Sequence, residues 1–369
     1  MSRASLYLTL RKLHLWISLV TVAPLLVLSV TGALLVFGPE MQAAFGPESR
    51  AVGPAGGRAP IAYSALLDAV AEAKPEARVW SVGTPDEPDA PWTIWLSGGA
   101  GVLDVDPYTG RILKDFQPGK TLYGRIAALH RWLLVAPGEG RRWVRHGMAA
   151  VTLLLIVQVV LGLWVWALPA RRLQRLKPDF SHGARQGVLR LHNLCGVLTA
   201  ALVALIAFTG LTYFWQDGTR AVVEAMTASR VEKPVLPGPA TLAPLRDLDA
   251  AIAIGQAAVP GLAQRSVRMP SRPGDSVMLR MAEPHGLTVT QVWVGDDPPR
   301  VLAVFDPAQG SAATAFWHMR SALHAGEFWG WPVGVAWVLL SLAPAGFVVS
   351  GLWLYWKRRG TRAADTVAA

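Results

Sequence analysis

Residues 13–32 read LHLWISLVTVAPLLVLSVTG, and residues 191–210 read LHNLCGVLTAALVALIAFTG. Each stretch opens on Leu-His and closes on Thr-Gly. The histidine-to-threonine interval is 17 residues in both, from His14 to Thr31 and from His192 to Thr209. What lies between is almost wholly apolar. At ~1.5 Å per residue such a helix spans ~26 Å, close to the ~30 Å hydrocarbon core of a bilayer. The spacing predicts two membrane spans, each with an imidazole at one face and a small Thr-Gly pair at the other.

Composition agrees with spans. Of 369 residues, 52% are hydrophobic and only 16% charged, unlike an average soluble domain. The net charge of +10 reads, in so apolar a chain, as cytoplasmic-side positive charge rather than a nucleic-acid surface. A single cysteine, Cys195, excludes an intrachain disulfide, a cysteine-based zinc site, an iron–sulfur cluster and CxxC chemistry. Walker, GxGxxG, HExxH and GxSxG patterns are missing from any supporting context, which argues against ATP-driven transport and the common hydrolases. The apolar run from Leu13 to Phe37 is too long for a signal-peptide core and reads as a retained first span.

Two more apolar runs complete a set of four spans: 13–38, 143–168, 191–215 and 331–356. Trp16, Trp143, Trp164, Trp166, Trp215, Trp331, Trp353 and Trp356 cluster at their ends as an aromatic belt. Pro24 and Pro344 fall inside the first and fourth spans, where a kink is expected. Lys and Arg concentrate in the start (Arg3, Arg11, Lys12), in the 169–190 link (Arg171, Arg172, Arg175, Lys177, Arg185, Arg190) and in the 357–369 tail (Lys357, Arg358, Arg359, Arg362). With four spans all three lie on one side, so both termini are expected in the cytoplasm. Segments 39–142 and 216–330 then lie across the membrane.

Those two segments resemble each other. Helical patterns at 62–73 and 247–258 are followed by short β-like runs at 78–82, 92–96 and 102–105, and at 265–269, 276–281, 289–294 and 301–305. Each segment carries an Asp-Pro-x-x-Gly turn, Asp106–Gly110 and Asp306–Gly310, then a Leu-His before the next span: Leu129-His130 and Leu323-His324. Spans two and four share Gly-Leu-Trp at 162–164 and 351–353. The expected fold is a membrane bundle of four helices with two extracytoplasmic α+β modules, written as an internal two-fold repeat.

The repeat sorts the histidines. His14 matches His192 near the cytoplasmic face, and His130 matches His324 near the outer face. A two-fold axis would bring each pair face to face, and two imidazoles facing inward in a helical bundle are the usual means of holding a b-type haem. One pair per leaflet would give two haems and an electron path across the membrane. His146, in the first turn of span two, is a reserve ligand or a supporting contact for the outer pair. His318 ranks below these; His182 and His285 lie in polar loops. Basic neighbours for the haem propionates are Arg11, Lys12 and Arg190 inside, and Arg125, Arg131, Arg142, Arg145 and Arg320 outside. From the residues alone, interface histidines serving as polar anchors, copied by duplication, remain the other reading. The Thr-Gly pairs read as close-packing points for a helix or a flat macrocycle, and Cys195 as a small apolar packer.

Lys12-Leu13-His14-Leu15-Trp16 through Thr31-Gly32, Leu129-His130-Arg131-Trp132, Leu191-His192-Asn193, the two Asp-Pro-x-x-Gly turns and Leu323-His324-Ala325-Gly326 together resemble the PepSY-associated transmembrane proteins over essentially the whole chain. The resemblance implies a bacterial inner-membrane protein with PepSY-type periplasmic modules. It also implies a role in iron uptake: haem-dependent transfer of electrons to a ferric siderophore, releasing Fe(II). The cytoplasmic electron donor is unknown, the lipid bilayer is a constant partner, and other iron-uptake membrane proteins are possible partners. The alternatives are a non-enzymatic PepSY scaffold or accessory subunit of an importer, and a siderophore or peptide permease. For the last, four spans form a thin bundle, with no substrate-sized set of charges at mid-membrane.

Overall fold

A computed structural model describes residues 2–45, 52, 57–85, 87–237, 242–272 and 274–367. In chain order the helices are α1 (Arg3–Val36), α2 (Gly38–Phe45), α3 (Tyr63–Ala73), α4 (Leu122–Trp132), α5 (Glu139–Ala167), α6 (Ala184–Leu211), α7 (Gln216–Thr227), α8 (Leu248–Ala257), α9 (Ala312–Ala325) and α10 (Trp331–Val367). The strands are β1 (Val79–Gly83), β2 (Trp92–Leu96), β3 (Val102–Val105), β4 (Ile112–Phe116), β5 (Ala263–Arg268), β6 (Val277–Ala282), β7 (Thr290–Gly295) and β8 (Arg300–Phe305). The chain divides into two compact units. One joins Met1–Phe37, Ile126–Thr219 and Leu323–Ala369; the other joins Gly38–Arg125 and Arg220–Ala322.

The first unit is helical. Helices α1, α5, α6 and the Trp331–Arg358 part of α10 are each long and apolar enough to cross a membrane, and they fall on the four expected spans. Helix α1 packs against α5 and α10, and α6 packs against the same two, so α1 and α6 stand at opposite corners of a four-helix ring. Val20, Leu198 and Leu339 are exposed on its outside, a surface suited to lipid rather than water. Buried hydroxyls inside the ring bond back along their own helix. Thr21 donates to Ile17 O at 2.8 Å, Thr152 to Met148 O at 2.8 Å and Thr209 to Leu205 O at 2.8 Å. This satisfies them where water cannot reach. Pro24 and Pro344 both sit inside unbroken helices.

The second unit is one antiparallel sheet of eight strands in the order β4-β3-β2-β1-β5-β6-β7-β8. The strands of the two long segments are thus not two separate sheets. Strand β1 pairs with β5, with Val82 opposite Val267. Across the inner face one row of partners reads Leu103, Ile94, Val82, Val267, Leu279 and Val292, all fully buried. They pack beneath α3 and α8 in one core. Helix α8 caps itself, since Asp247 accepts from Ala250 N at 2.8 Å. It also caps its neighbour. Helix α3 has only Ala62 before it, and the missing cap comes from Asp249, which accepts from Tyr63 N at 2.6 Å and from Ser64 Oγ at 2.5 Å.

The two Asp-Pro-x-x-Gly segments hold different places. Asp106–Gly110 turns β3 into β4, with Tyr108 N donating to Asp106 Oδ1 at 2.8 Å. Asp306–Gly310 follows β8 and leads into α9, with Ala308 N donating to Asp306 Oδ1 at 3.0 Å. The β7–β8 turn is made instead by residues 296–299. An aspartate bonding two residues ahead serves a hairpin and a helix entry equally well, so the motif marks a turn without fixing its position.

Two outcomes follow for this unit. Asp249→Ala removes a cap that bridges two helices and lowers stability by about 1–2 kcal/mol, read from chemical unfolding of the full chain. Tyr63 stacks on Trp92 at 5.1 Å, and burial pushes its hydroxyl up to about 12. A raised pKa favours the protonated folded form. Its contribution is therefore complete below the ordinary tyrosine value near 10 and is lost as pH rises toward 12. Tyr63→Phe should remove that part of the alkaline destabilisation; an unchanged alkaline limb would contradict the assignment.

Candidate functional site

In the helical unit, histidines meet the corner helices α1 and α6 at both ends of the ring, set against them at one end and carried by them at the other. At one end His130, near the end of α4, turns its ring onto the first Thr-Gly pair. Its Nδ1 lies 2.9 Å from Thr31 Oγ1. That hydroxyl already donates to Val27 O at 2.5 Å, so it accepts the Nδ1–H of His130. Gly32 makes room, because a Cβ there would sit 3.3 Å from His130 Cε1. His324, at the end of α9, does the same on the second pair. Its Nδ1–H donates to Ile206 O at 3.0 Å, with Thr209 Oγ1 at 3.4 Å, and a Cβ on Gly210 would come within 2.8 Å of its Cε1.

The turns that follow hold both rings in place. Leu133 and Leu134 take positive φ of 48° and 63° to end α4. Trp132 packs edge-on against Phe214 at 6.4 Å, with the Arg141 guanidinium 4.8 Å above it. Beyond His324, Gly326 has φ of 76°, and a Cβ there would strike the Trp337 ring at 2.6 Å. Only glycine meets both demands. Trp337 Nε1 donates to Leu323 O at 2.8 Å, pinning the end of α9 to α10.

The result is a facing pair: the His130 and His324 ring centroids lie 6.3 Å apart, tilted by 51°. Two imidazoles bound on opposite sides of one metal through bonds of about 2 Å, each nitrogen about 1.2 Å from its ring centre, would hold their centroids about 6.4 Å apart. Both Nδ1 atoms are engaged, so the Nε2 lone pairs are left as the ligating positions. Among the described residues no group of three or more His, Cys, Asp or Glu could hold a metal ion. The facing pair thus offers two ring nitrogens and no third side-chain ligand among those residues.

The other end is built alike. His192 Nδ1–H donates to Ser350 Oγ at 2.8 Å, and that hydroxyl in turn donates to Gly346 O at 2.8 Å. Phe347 packs edge-on against the His192 ring at 5.2 Å. His14 stands near enough to His192 for the two rings to interact electrostatically. It rests on Gly162, where a Cβ would sit 3.3 Å from its Cε1. Its carbonyl accepts from Ser18 Oγ at 2.7 Å and from Gln158 Nε2 at 2.9 Å. His14 Nδ1, Gln158 Oε1, Arg190 Nε and Asn193 Nδ2 are buried without a hydrogen-bond partner among the described residues. Buried polar atoms ordinarily find partners, so this end offers donors and an acceptor to a bound polar group.

The remaining sequence candidates divide. Arg131 is exposed and near enough to both His130 and His324 to act on them electrostatically. Arg145 is occupied: its Nε and Nη2 donate to Phe214 O at 2.9 and 2.5 Å. His146 is exposed and accepts from Trp215 Nε1 at 3.3 Å, so the structure does not bring it into the facing pair. Arg11 stacks on Tyr7 at 5.7 Å. Arg190 bonds Asp179 at 3.2 Å, and Ser181 together with Arg190 holds that carboxyl down to about 2. Sequence reasoning missed Ser350, Gln158 and Gly162 as supports of the inner pair, and Tyr213, whose ring lies 5.6 Å from His324. Only the sharing of Gly-Leu-Trp at 162–164 and 351–353 had pointed toward that region.

The sheet unit has a cleft of about 390 Å³ lined by Tyr63, Trp92, Tyr108, Gln256 and Gln264 among others. Its polar groups bond one another, Gln264 Nε2 donating to Tyr63 Oη at 2.5 Å and Gln256 Nε2 to Gln264 Oε1 at 3.0 Å.

The family model for the PepSY-associated TM region matches residues 11–358. The chain belongs to that family. As a family member with four apolar helices it is a multi-pass membrane protein. The matched region takes in all five candidate histidines and parts of both units. No curated protein matches the sequence.

The two glycine seats differ, and the difference is measurable. Gly210→Ala forces the His324 ring to move, whereas Gly32→Ala asks for a few tenths of an ångström at His130. Overpacking should make Gly210→Ala the more destabilising by about 1–3 kcal/mol in detergent unfolding. Equal effects would mean that the His324 seat is not as tight as the geometry requires.

Proposed function

We propose that this PepSY-associated TM protein is a haem-containing reductase of the bacterial inner membrane that delivers electrons from the cytoplasmic side to a ferric siderophore in the periplasm. The observation that carries the reading is the facing pair. His130 and His324 stand 6.3 Å apart with both Nδ1 atoms tied to α1 or α6, the arrangement suited to two axial ligands. His14 and His192 are the corresponding holders at the other end, and Arg131 is suited to a propionate near the outer pair. When bound, a b-type haem at each end supplies a one-electron carrier.

The protein's own part is orientation and exclusion. Thr31, Thr209, the Ile206 carbonyl and Ser350 fix the histidine tautomers, so that Nε2 is unprotonated and aimed inward. The apolar ring keeps water from the interval between the ends. Lys and Arg at the start, in the 169–190 link and in the tail support cytoplasmic termini and periplasmic placement of the segments that build the sheet. Each of those segments contributes one helix and four strands to a sheet whose centre is the β1–β5 pairing, which supports a duplicated chain with a pseudo-two-fold axis.

The reading is tested on full-length protein purified in detergent. A reduced-minus-oxidised visible spectrum with haem quantified per chain should show two b-type haems. The His130→Ala/His324→Ala double variant should lose one and keep the other, and ferric siderophore should reoxidise the reduced parent. Colourless protein from haem-replete cells would sink the reading and leave the chain as a membrane scaffold or importer subunit.

A further inference from the structure

The sheet has a second face, away from α3 and α8. Across its centre one row reads Trp95, Ser81, Arg268, Met278 on successive strands, and the next reads Thr93, Gly83, Ser266, Arg280. The middle of both rows is small: Ser81, itself buried, and the half-buried Gly83 and Ser266 put no large side chain over the β1–β5 junction. Around the junction stand large side chains. Trp80, beside a bulge in β1, is 43% exposed, and so is Trp95. The Arg268 guanidinium lies 4.7 Å above the Trp80 ring.

Arg268 and Arg280 are both exposed and sit diagonally across β5 and β6. They are near enough to repel. Partial burial first, and then Arg268, hold the Arg280 guanidinium below its usual range. Neither is given an acidic partner by any described residue. The carboxylate nearest in register, Asp104, is almost wholly buried and lies on β3, opposite Thr93 and Lys114. Two like charges held together over small residues, with indole faces beside them, form a surface complementary to an anion that bears aromatic rings.

We propose that this face binds a polyanionic iron chelate bearing aromatic rings, of the catecholate class, with Arg268 and Arg280 on its anionic oxygens and Trp80 and Trp95 against its rings. Guanidinium on anionic oxygen gives the stronger, charge-assisted bonds, and indole gives stacking without charge. The proposal deepens the reductase reading, on which it rests for the iron but not for the charge or the aromatic contact. A cationic or neutral hydroxamate chelate has neither feature and is excluded as the preferred ligand.

The test is equilibrium binding to the full-length protein in detergent, followed by tryptophan quenching. The probes are the gallium(III) complexes of a tris-catecholate and of a trihydroxamate, which are not reduced, so binding is read apart from redox activity. The catecholate complex should bind better than the hydroxamate and weaken as salt rises. Arg268→Gln/Arg280→Gln should weaken it roughly tenfold or more, with haem content and unfolding midpoint unchanged. Arg280→Gln alone should show part of the loss, and Arg280→Lys less. Equal binding of the two complexes, or a double variant that binds like the parent, would overturn the proposal. Haem-free parent protein with selective catecholate binding would sink the reductase reading and leave this site standing.

Discussion

The helical unit depends on imidazole rings set on glycines and tied by Nδ1 to a neighbouring helix. In lipid, apolar helices gain little by meeting each other, because the tails around them are as apolar as leucine. Register must then come from close approach and from polar contacts that only one alignment satisfies. His130 on Thr31 and Gly32, His324 on Ile206 and Gly210, and His192 on Ser350 each join two helices in this way. Gln158 adds a fourth tie, from α5 to the His14 carbonyl and Ser18. A slip of one residue in any of these pairs would put a Cβ where a ring now lies or leave a buried donor without its acceptor.

These ties also explain why the unit can be both firm and chemically open. Each engages one ring nitrogen and leaves the other. A histidine kept only as an interface anchor would gain most by turning a nitrogen to water. Here Nδ1 is spent on the helix, and Nε2 of His130, His192 and His324 makes no hydrogen bond to any described residue.

Much of this was legible in the chain itself. The four spans, both helices over the sheet and seven of the eight strands lie where hydrophobic periodicity puts them, because periods of 3.6 and 2 are local properties. Repeat register matched His130 with His324 but left His146 in reserve, and only the fold separates the two. What was not legible shares one cause: it depends on contacts between residues far apart in sequence. No local pattern announces that β1 pairs with β5, since an edge strand and a central strand with the same alternation look alike. The long reach of arginine is likewise unwritten, so Arg145 ends on Phe214 O and Arg190 on Asp179. The aspartate turns were legible as turns and lie where the sequence puts them, although Asp106 and Asp306 make the same bond two residues ahead in different settings.

The β1–β5 junction has consequences beyond topology. Two separate four-stranded sheets would expose four edges, and joining them leaves two, β4 and β8. Those edges carry charge: Lys114 and Asp115 on β4, Arg300 on β8. The joined strands bring Trp80 beneath Arg268, residues that no single segment contains together. The same pairing lays Gly83 against Ser266, which puts no large side chain between the arginines and the indoles. If the sheets had remained apart, one half would show two tryptophans and the other two solvated arginines, with nothing to join them. It is the union that turns ordinary surface residues into a charged aromatic face.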